Sequence, residues 1–239
     1  MRMIFRIALI AVLLTGVASL PAAAEPYLSA REVQLTPLMV PPPLVGSDAY
    51  KADMQADVDT QKTRTPAQAD EARADSLRSV FRFAGVFGPN FNEQKLPLTK
   101  ALFRDVAVET EELTDEVKHV FKRSRPFVDN PELHPIIATP GEGQRPSGQT
   151  PSFPSGHSTF AYTTGILLSA MIPEKRREIF ERSESFSHNR LVAGVHFPTD
   201  IEAGRVCGTV IAYLLLHNER FAKDFAKARE ELRHVLELE

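Results

Sequence analysis

The chain has 239 residues, a formal net charge of −3 and 43% apolar side chains, enough for one domain with a sizeable core. A mildly acidic chain is a poor general binder of nucleic-acid polymers. Its single cysteine, Cys207, lies in an apolar run and reads as a small buried hydrophobe, which excludes an intramolecular disulfide and a cysteine-built metal site.

Residues 1–24 carry Arg2 and Arg6, then the apolar "IALIAVLLTGVASL", then the small residues of "PAAAE". This order predicts a secretory signal peptide cleaved after Ala24. Its apolar part is shorter than the roughly 20 residues of a spanning helix. "VCGTVIAYLLL" (206–216) reads as a buried helix, so no membrane span is expected after cleavage. Residues 25–46, with "LTPLMVPPPLVG", read as a proline-rich arm lying on the body. Residues 47–239 read as one all-α domain. Ser47 and Thr65 suit helix N-caps and Pro66 a first helical turn, giving helices near 48–62, 66–83, 97–112 and 114–124. A long loop follows, from Val128 to Phe153, with five prolines and three glycines; loops of this length in compact domains are often functional. Helices resume near 155–171, 173–187, 198–217 and 218–237. The alternation expected of strands is nearly absent.

Three stretches carry candidate chemistry. In "KHVFKRSRPF", Lys118 and Arg125 stand seven residues apart, which on a helix ended by Pro126 puts both cations on one face. Alone, that stretch reads more simply as a solvated basic helix end. In "PSFPSGHSTF", Ser155 suits a helix cap and Gly156 lets a ligand approach the backbone. The first-turn N–H groups then point at an anion, with His157 beside it as a proton donor. A Ser-Gly helix start is common by itself. In "NRLVAGVHFPTDIEAGR", Pro198 suits the first turn of a helix, which places His196 just before it and Asp200 within it. Asp200 can then reach one ring nitrogen of His196 and leave the other free to attack. The alternative is a helix-start acid beside a half-buried histidine.

Together these stretches hold two histidines, one carboxylate, three cations and a helix N-terminus, an inventory that suits phosphoryl transfer. No metal or other cofactor is expected, because Lys118, Arg125 and Arg190 supply the positive charge. The ordered set K-x6-R-P (Lys118 to Pro126), P-S-G-H (Pro154 to His157) and R-x5-H-x3-D (Arg190 to Asp200) resembles the signature of the type 2 phosphatidic acid phosphatase superfamily, which includes vanadium haloperoxidases. The signal peptide, "VPPPLVGS", "RSRPF", "SFPSGHST" and the tail from "EAGR" are similar to class A bacterial non-specific acid phosphatases.

That resemblance implies an all-α bundle of the acid phosphatase and haloperoxidase type, secreted to the periplasm. It implies hydrolysis of small phosphate monoesters, with transfer to alcohols open to the same intermediate. His196 would form a phosphohistidine, Asp200 would orient it, and His157 would protonate the leaving alcohol and later activate water. Lys118, Arg125, Arg190, Ser155 and the Gly156 N–H would hold the phosphate. Self-association is implied only by analogy with the family. One departure is Asn189, where the family usually has serine before the arginine. His119, His134, His188, His217 and His234 fall outside the motif positions and read as structural or exposed. The alternatives are a vanadate-dependent haloperoxidase, which is usually longer, a lipid phosphatase, which normally carries several spanning helices, and a non-enzymatic phosphate-binding protein, which would have no need of both His157 and His196.

Overall fold

The computed structural model describes residues 25–30, 32–136 and 150–238. The expected signal peptide and residues 137–149 of the proline-rich loop lie outside the described residues. Among the described residues the fold is all-α, with no strand, and no helix is long and apolar enough to cross a membrane.

The local signals act as their chemistry dictates. Ser47 caps α1 (Asp48–Thr63) by accepting from the Tyr50 N–H at 3.2 Å, and Thr65 with Gln68 forms a capping box on α2 (Pro66–Ala74). The expected helix over 66–83 is broken. Ser76 and Ser79 compete with the backbone for hydrogen bonds: Ser76 Oγ donates to the Arg73 carbonyl at 2.7 Å, and Ser79 Oγ accepts from the Phe81 N–H at 3.2 Å. A turn over 75–79 follows α2, then a 3-10 turn (Val80–Phe83) and the short α3 (Ala84–Phe87).

The expected helices 97–112 and 114–124 are one continuous helix, α4 (Pro97–Phe121). No break occurs at residue 113. The Thr114 hydroxyl donates to the Thr110 carbonyl at 2.8 Å and so is satisfied inside the helix. α4 ends at Lys122, whose φ of 49° turns the chain out of the helix. Lys118 and Arg125 therefore do not share a helix face; Arg125 is the residue before the short α5 (Pro126–Asp129).

Beyond the loop, Ser155 caps α6 (Gly156–Met171) by accepting from the Ser158 N–H at 3.3 Å. α7 (Arg176–Val192) begins later and runs further than the expected 173–187, because its last turns are buried and stay helical; Arg190 thus lies on a helix. α8 (Pro198–Leu216) starts with Pro198 at N1, and α9 (Glu219–Val235) with Asn218 as its cap. α6 is buried on all sides, against α4, α7 and α8. Gly204 and Gly208 on α8 permit the close crossing. A Cβ on Gly204 would lie 2.5 Å from the Ser155 carbonyl oxygen, and one on Gly208 would lie 2.5 Å from that of Thr159. This crossing brings the first turn of α6 against α8.

Residues 25–46 lie on this body. The Tyr27 and Leu28 N–H groups donate to the Glu109 carboxylate, and Met39 Sδ sits 3.5 Å from the buried Cys207 Sγ. Burial pushes the Cys207 thiol up to about 12, so it stays protonated and inert.

Candidate active site

Backbone bonds draw the three stretches together. The Ser152 N–H donates to the Arg123 carbonyl at 2.8 Å, and the Ser155 N–H to the Asp200 carbonyl at 2.9 Å. Lys118 Nζ donates to the carbonyls of Pro151 (2.8 Å) and Pro154 (2.6 Å), and Arg125 Nε to that of Thr150 (2.9 Å). Lys118 and Arg125 thus converge on the 150–154 segment from different elements. The Phe153–Pro154 peptide bond within it is cis.

His196 is buried between two sets of partners. Arg125 Nη1 donates to His196 Nε2 at 3.1 Å and to the Val195 carbonyl at 2.7 Å. A guanidinium can only donate, so Nε2 presents its lone pair and Nδ1 carries the proton. Nδ1 faces Ser152 Oγ at 3.4 Å and Asp200 Oδ2 at 3.5 Å. Asp200 is near His196, as the spacing predicts, but at more than hydrogen-bonding distance. Ser152 Oγ stands between them and donates to Asp200 Oδ2. Asp200 also accepts from Arg123 Nη1 at 2.6 Å and from the Phe197 N–H at 3.0 Å.

His157 sits in the first turn of α6 and donates from Nε2 to the Ser76 carbonyl at 2.9 Å. A carbonyl can only accept, so Nδ1 is the nitrogen left to exchange a proton. The ring lies 6.5 Å from that of Phe186, nearly parallel to it. Arg190 is fully buried, and Arg125 and Lys118 are nearly so.

The electrostatics follow from cations crowded out of water. Burial, then Arg125, then Lys118 and Arg190 hold His196 well below the usual imidazole range. Burial, then Arg190, then Arg78 do the same to His157. Burial and the charge of Arg125 pull Lys118 down to about 7. Burial lowers Arg125 to about 10 and, together with Arg125's charge, Arg190 to about 9; both remain cations at neutral pH. Such a cluster attracts an anion strongly, and a dianion placed in it cancels much of the repulsion. Among the described residues, no group of three or more histidine, cysteine or carboxylate side chains could hold a metal ion.

Several residues here were not singled out by motif reading. Arg123, from the same R-S-R-P run, bridges Asp200 and Asp53, donating from Nη2 to Asp53 Oδ2 at 2.6 Å, with its guanidinium 3.9 Å from the Phe197 ring centre. Thr199 Oγ1 donates to the same Asp53 carboxylate. Asp57, one turn after Asp53, is buried, and neither of its oxygens has a hydrogen-bond partner among the described residues. No signal in the chain marks these acids: Asp53 and Asp57 stand four apart in a polar helix and are buried only in the folded structure. Asn189, at the departure from the family pattern, donates to buried Asp75 at 2.8 Å; Asp75 also accepts from Arg82 and Arg182. Arg78 lies beside Gly156, in a turn that carries no motif.

The PAP2 superfamily pattern matches residues 101–223, a span that includes all eight residues singled out by the motifs. The chain is similar to the non-specific acid phosphatase of Salmonella typhimurium, 28% identical over 214 residues, covering 87% of this chain and 84% of the relative. It is similar to the acid phosphatase of Zymomonas mobilis, 29% identical over 199 residues, with coverages of 81% and 74%. Among solved structures it resembles a transmembrane PAP2-type phosphatidylglycerolphosphate phosphatase from Bacillus subtilis, at a TM-score of 0.48 and 20% identity, over 71% of this chain and 86% of that one.

Proposed function

We propose, for a chain that belongs to the PAP2 superfamily, that it is a periplasmic acid phosphatase hydrolysing phosphate monoesters through a phosphohistidine, without a metal. The observation that carries this reading is the orientation of His196. Nε2 carries the ring's lone pair, held by Arg125 Nη1 in the absence of substrate, and Nδ1–H faces Ser152 and Asp200. The assignment of acid phosphatase rests further on the similarity to proteins of that name.

In the proposed reaction Lys118, Arg125, Arg190 and the first-turn N–H groups of α6 hold the phosphoryl oxygens. Burial first, then Arg190 and Arg78, keep His157 deprotonated; the dianion offsets the repulsion, and His157 takes up a proton from solvent as substrate binds. As Arg125 Nη1 turns from Nε2 to a phosphoryl oxygen, the freed Nε2 lone pair attacks phosphorus in line, the ester P–O bond breaks, and the leaving oxygen takes the proton from His157 Nδ1. Asp200 and Ser152 stabilise the positive charge that develops on the His196 ring. Water then gives a proton to His157 Nδ1 and attacks phosphorus. The P–N bond breaks, releasing phosphate and neutral His196. An alcohol can replace water in this second step and yield a new ester.

The test is turnover of p-nitrophenyl phosphate after exhaustive dialysis against a chelator, with rapid-quench trapping of the phosphoenzyme. Wild type should turn over and trap phosphate, and His196→Ala should do neither. Trapped phosphohistidine in His196→Ala would move the nucleophile elsewhere. Activity lost on dialysis and restored by one divalent ion would overturn the metal-free mechanism.

A further inference from the structure

We propose that Arg78 is a substrate-contacting residue outside the three-part signature, and that it favours phosphate esters whose alcohol carries a second anionic group close to the ester oxygen. The proposal rests on the acid phosphatase reading and deepens it by naming a substrate class.

The first observation is place. The turn over 75–79 forms the wall of the site beside His157, since the Ser76 carbonyl accepts from His157 Nε2 at 2.9 Å. Two residues on, the Arg78 side chain, only 6% exposed, turns inward. A Cβ built on Gly156 would lie 3.7 Å from Arg78 Nη1, so the guanidinium reaches the first residue of α6. That is where an anion meets the helix N-terminus.

The second observation is the side of the site on which its charge acts. The cations that most strongly influence His196 are Arg125, Lys118 and Arg190. Those that most strongly influence His157 are Arg190 and Arg78. In-line attack puts the leaving oxygen opposite His196, on the side of the proton donor. Arg78 therefore stands with His157, where the leaving alcohol must lie.

The third observation is support. Arg78 Nη2 pairs with Glu111 on α4, which holds the guanidinium in place. Asp75, which begins the turn, is held by Arg82, Arg182 and Asn189. The position is thus rigid. A dianionic phosphoryl group is already met by Lys118, Arg125 and Arg190. Arg78, paired with Glu111, adds a buried guanidinium on the leaving-group side, beyond the three cations that meet the phosphoryl group. A carboxylate or a second phosphate one or two bonds beyond the ester oxygen has the reach to share that guanidinium with Glu111.

The test compares 2-phosphoglycolate with 2-hydroxyethyl phosphate, esters of similar size that differ in a carboxylate. Inorganic pyrophosphate is a third substrate that separates a phosphate from a carboxylate as the favoured anion. kcat/KM is measured for wild type, Arg78→Gln and Arg78→Lys. Wild type should prefer at least one of the doubly anionic substrates. That preference should fall by about tenfold or more in Arg78→Gln, beyond any loss shared with 2-hydroxyethyl phosphate. Arg78→Lys keeps the pairing with Glu111 and guards against misfolding; it should retain part of the preference. Equal losses on all three substrates, or no loss, would overturn the role of Arg78. Wild type that turns over p-nitrophenyl phosphate but prefers neither doubly anionic substrate would overturn this proposal alone, and wild type that also fails on p-nitrophenyl phosphate would overturn the acid phosphatase reading itself.

Discussion

Arg125 donates to His196 through Nη1, 3.1 Å from Nε2, while the same nitrogen holds the Val195 carbonyl at 2.7 Å. One guanidinium thus sets both the ring and the backbone beside it, and on the proposed mechanism it must also meet the phosphoryl oxygens. Replacing Arg125 with alanine should lower kcat by on the order of 10²-fold or more, as for loss of a preorganised transition-state donor. Arg125→Lys should recover little, because a point charge cannot serve several directions at once. Near-normal kcat in Arg125→Ala would show that the contact only orders the ring.

Arg123 is the shared counter-charge for Asp53 and Asp200, at 2.6 Å from each. Removing it leaves two buried carboxylates without their cation. Arg123→Ala should destabilise the fold by about 3–5 kcal/mol, the usual cost of breaking a buried pair from one side. It should also slow turnover, since Asp200 would no longer be held near His196. Ser152→Ala should be milder in stability and still reduce kcat. Chemical denaturation read beside steady-state kinetics checks both; an unchanged denaturation midpoint in Arg123→Ala would contradict this account.

Lys118 titrates near pH 7 because burial and Arg125 disfavour its charge. Below that pH it is a cation and attracts the phosphate, and above it the attraction is lost. kcat/KM should therefore fall as pH rises through about 7. With p-nitrophenyl phosphate, whose leaving group needs little proton assistance, that limb reports Lys118 rather than His157. Lys118→Gln should lower kcat/KM at acid pH and lose the limb. A limb of the same midpoint in Lys118→Gln would assign it to another group.

Asp57 is pushed up to about 8, first by burial and then by Asp200 and Asp53. Between its ordinary value and that one, the folded protein keeps a proton that the unfolded chain has lost. Stability conferred by that proton is complete in acid and falls as pH rises through about 8. Asp57→Asn cannot ionise, so the variant should show a smaller loss of Tm between pH 5 and pH 9 than wild type. Parallel Tm profiles for the two proteins would place the titration elsewhere.

Much of the fold was legible in the chain because its signals are local. Ser47, Thr65 and Ser155 cap the helices they precede, and Pro198 opens α8, because a cap or an N1 proline needs only its own next turn. The all-α character also follows from such short-range patterns. The sequence by itself also determined the order and spacing of the eight motif residues. What it did not determine is how they meet. The chain reads as separate helices over 97–112 and 114–124, yet α4 is continuous with Thr114 satisfied internally, and the turn at Lys122 sends Arg125 to a separate element. The long-range partners were decided by tertiary structure alone: Ser152 between His196 and Asp200, Arg123 shared by Asp53 and Asp200, and Arg78 against Gly156. Asp53 and Asp57 look like solvated acids on a polar helix until α1 docks against the body. The physical reason is that the charge state and hydrogen bonding of a buried group depend on what lies a few ångströms away in space. Here those neighbours stand tens of residues distant along the chain.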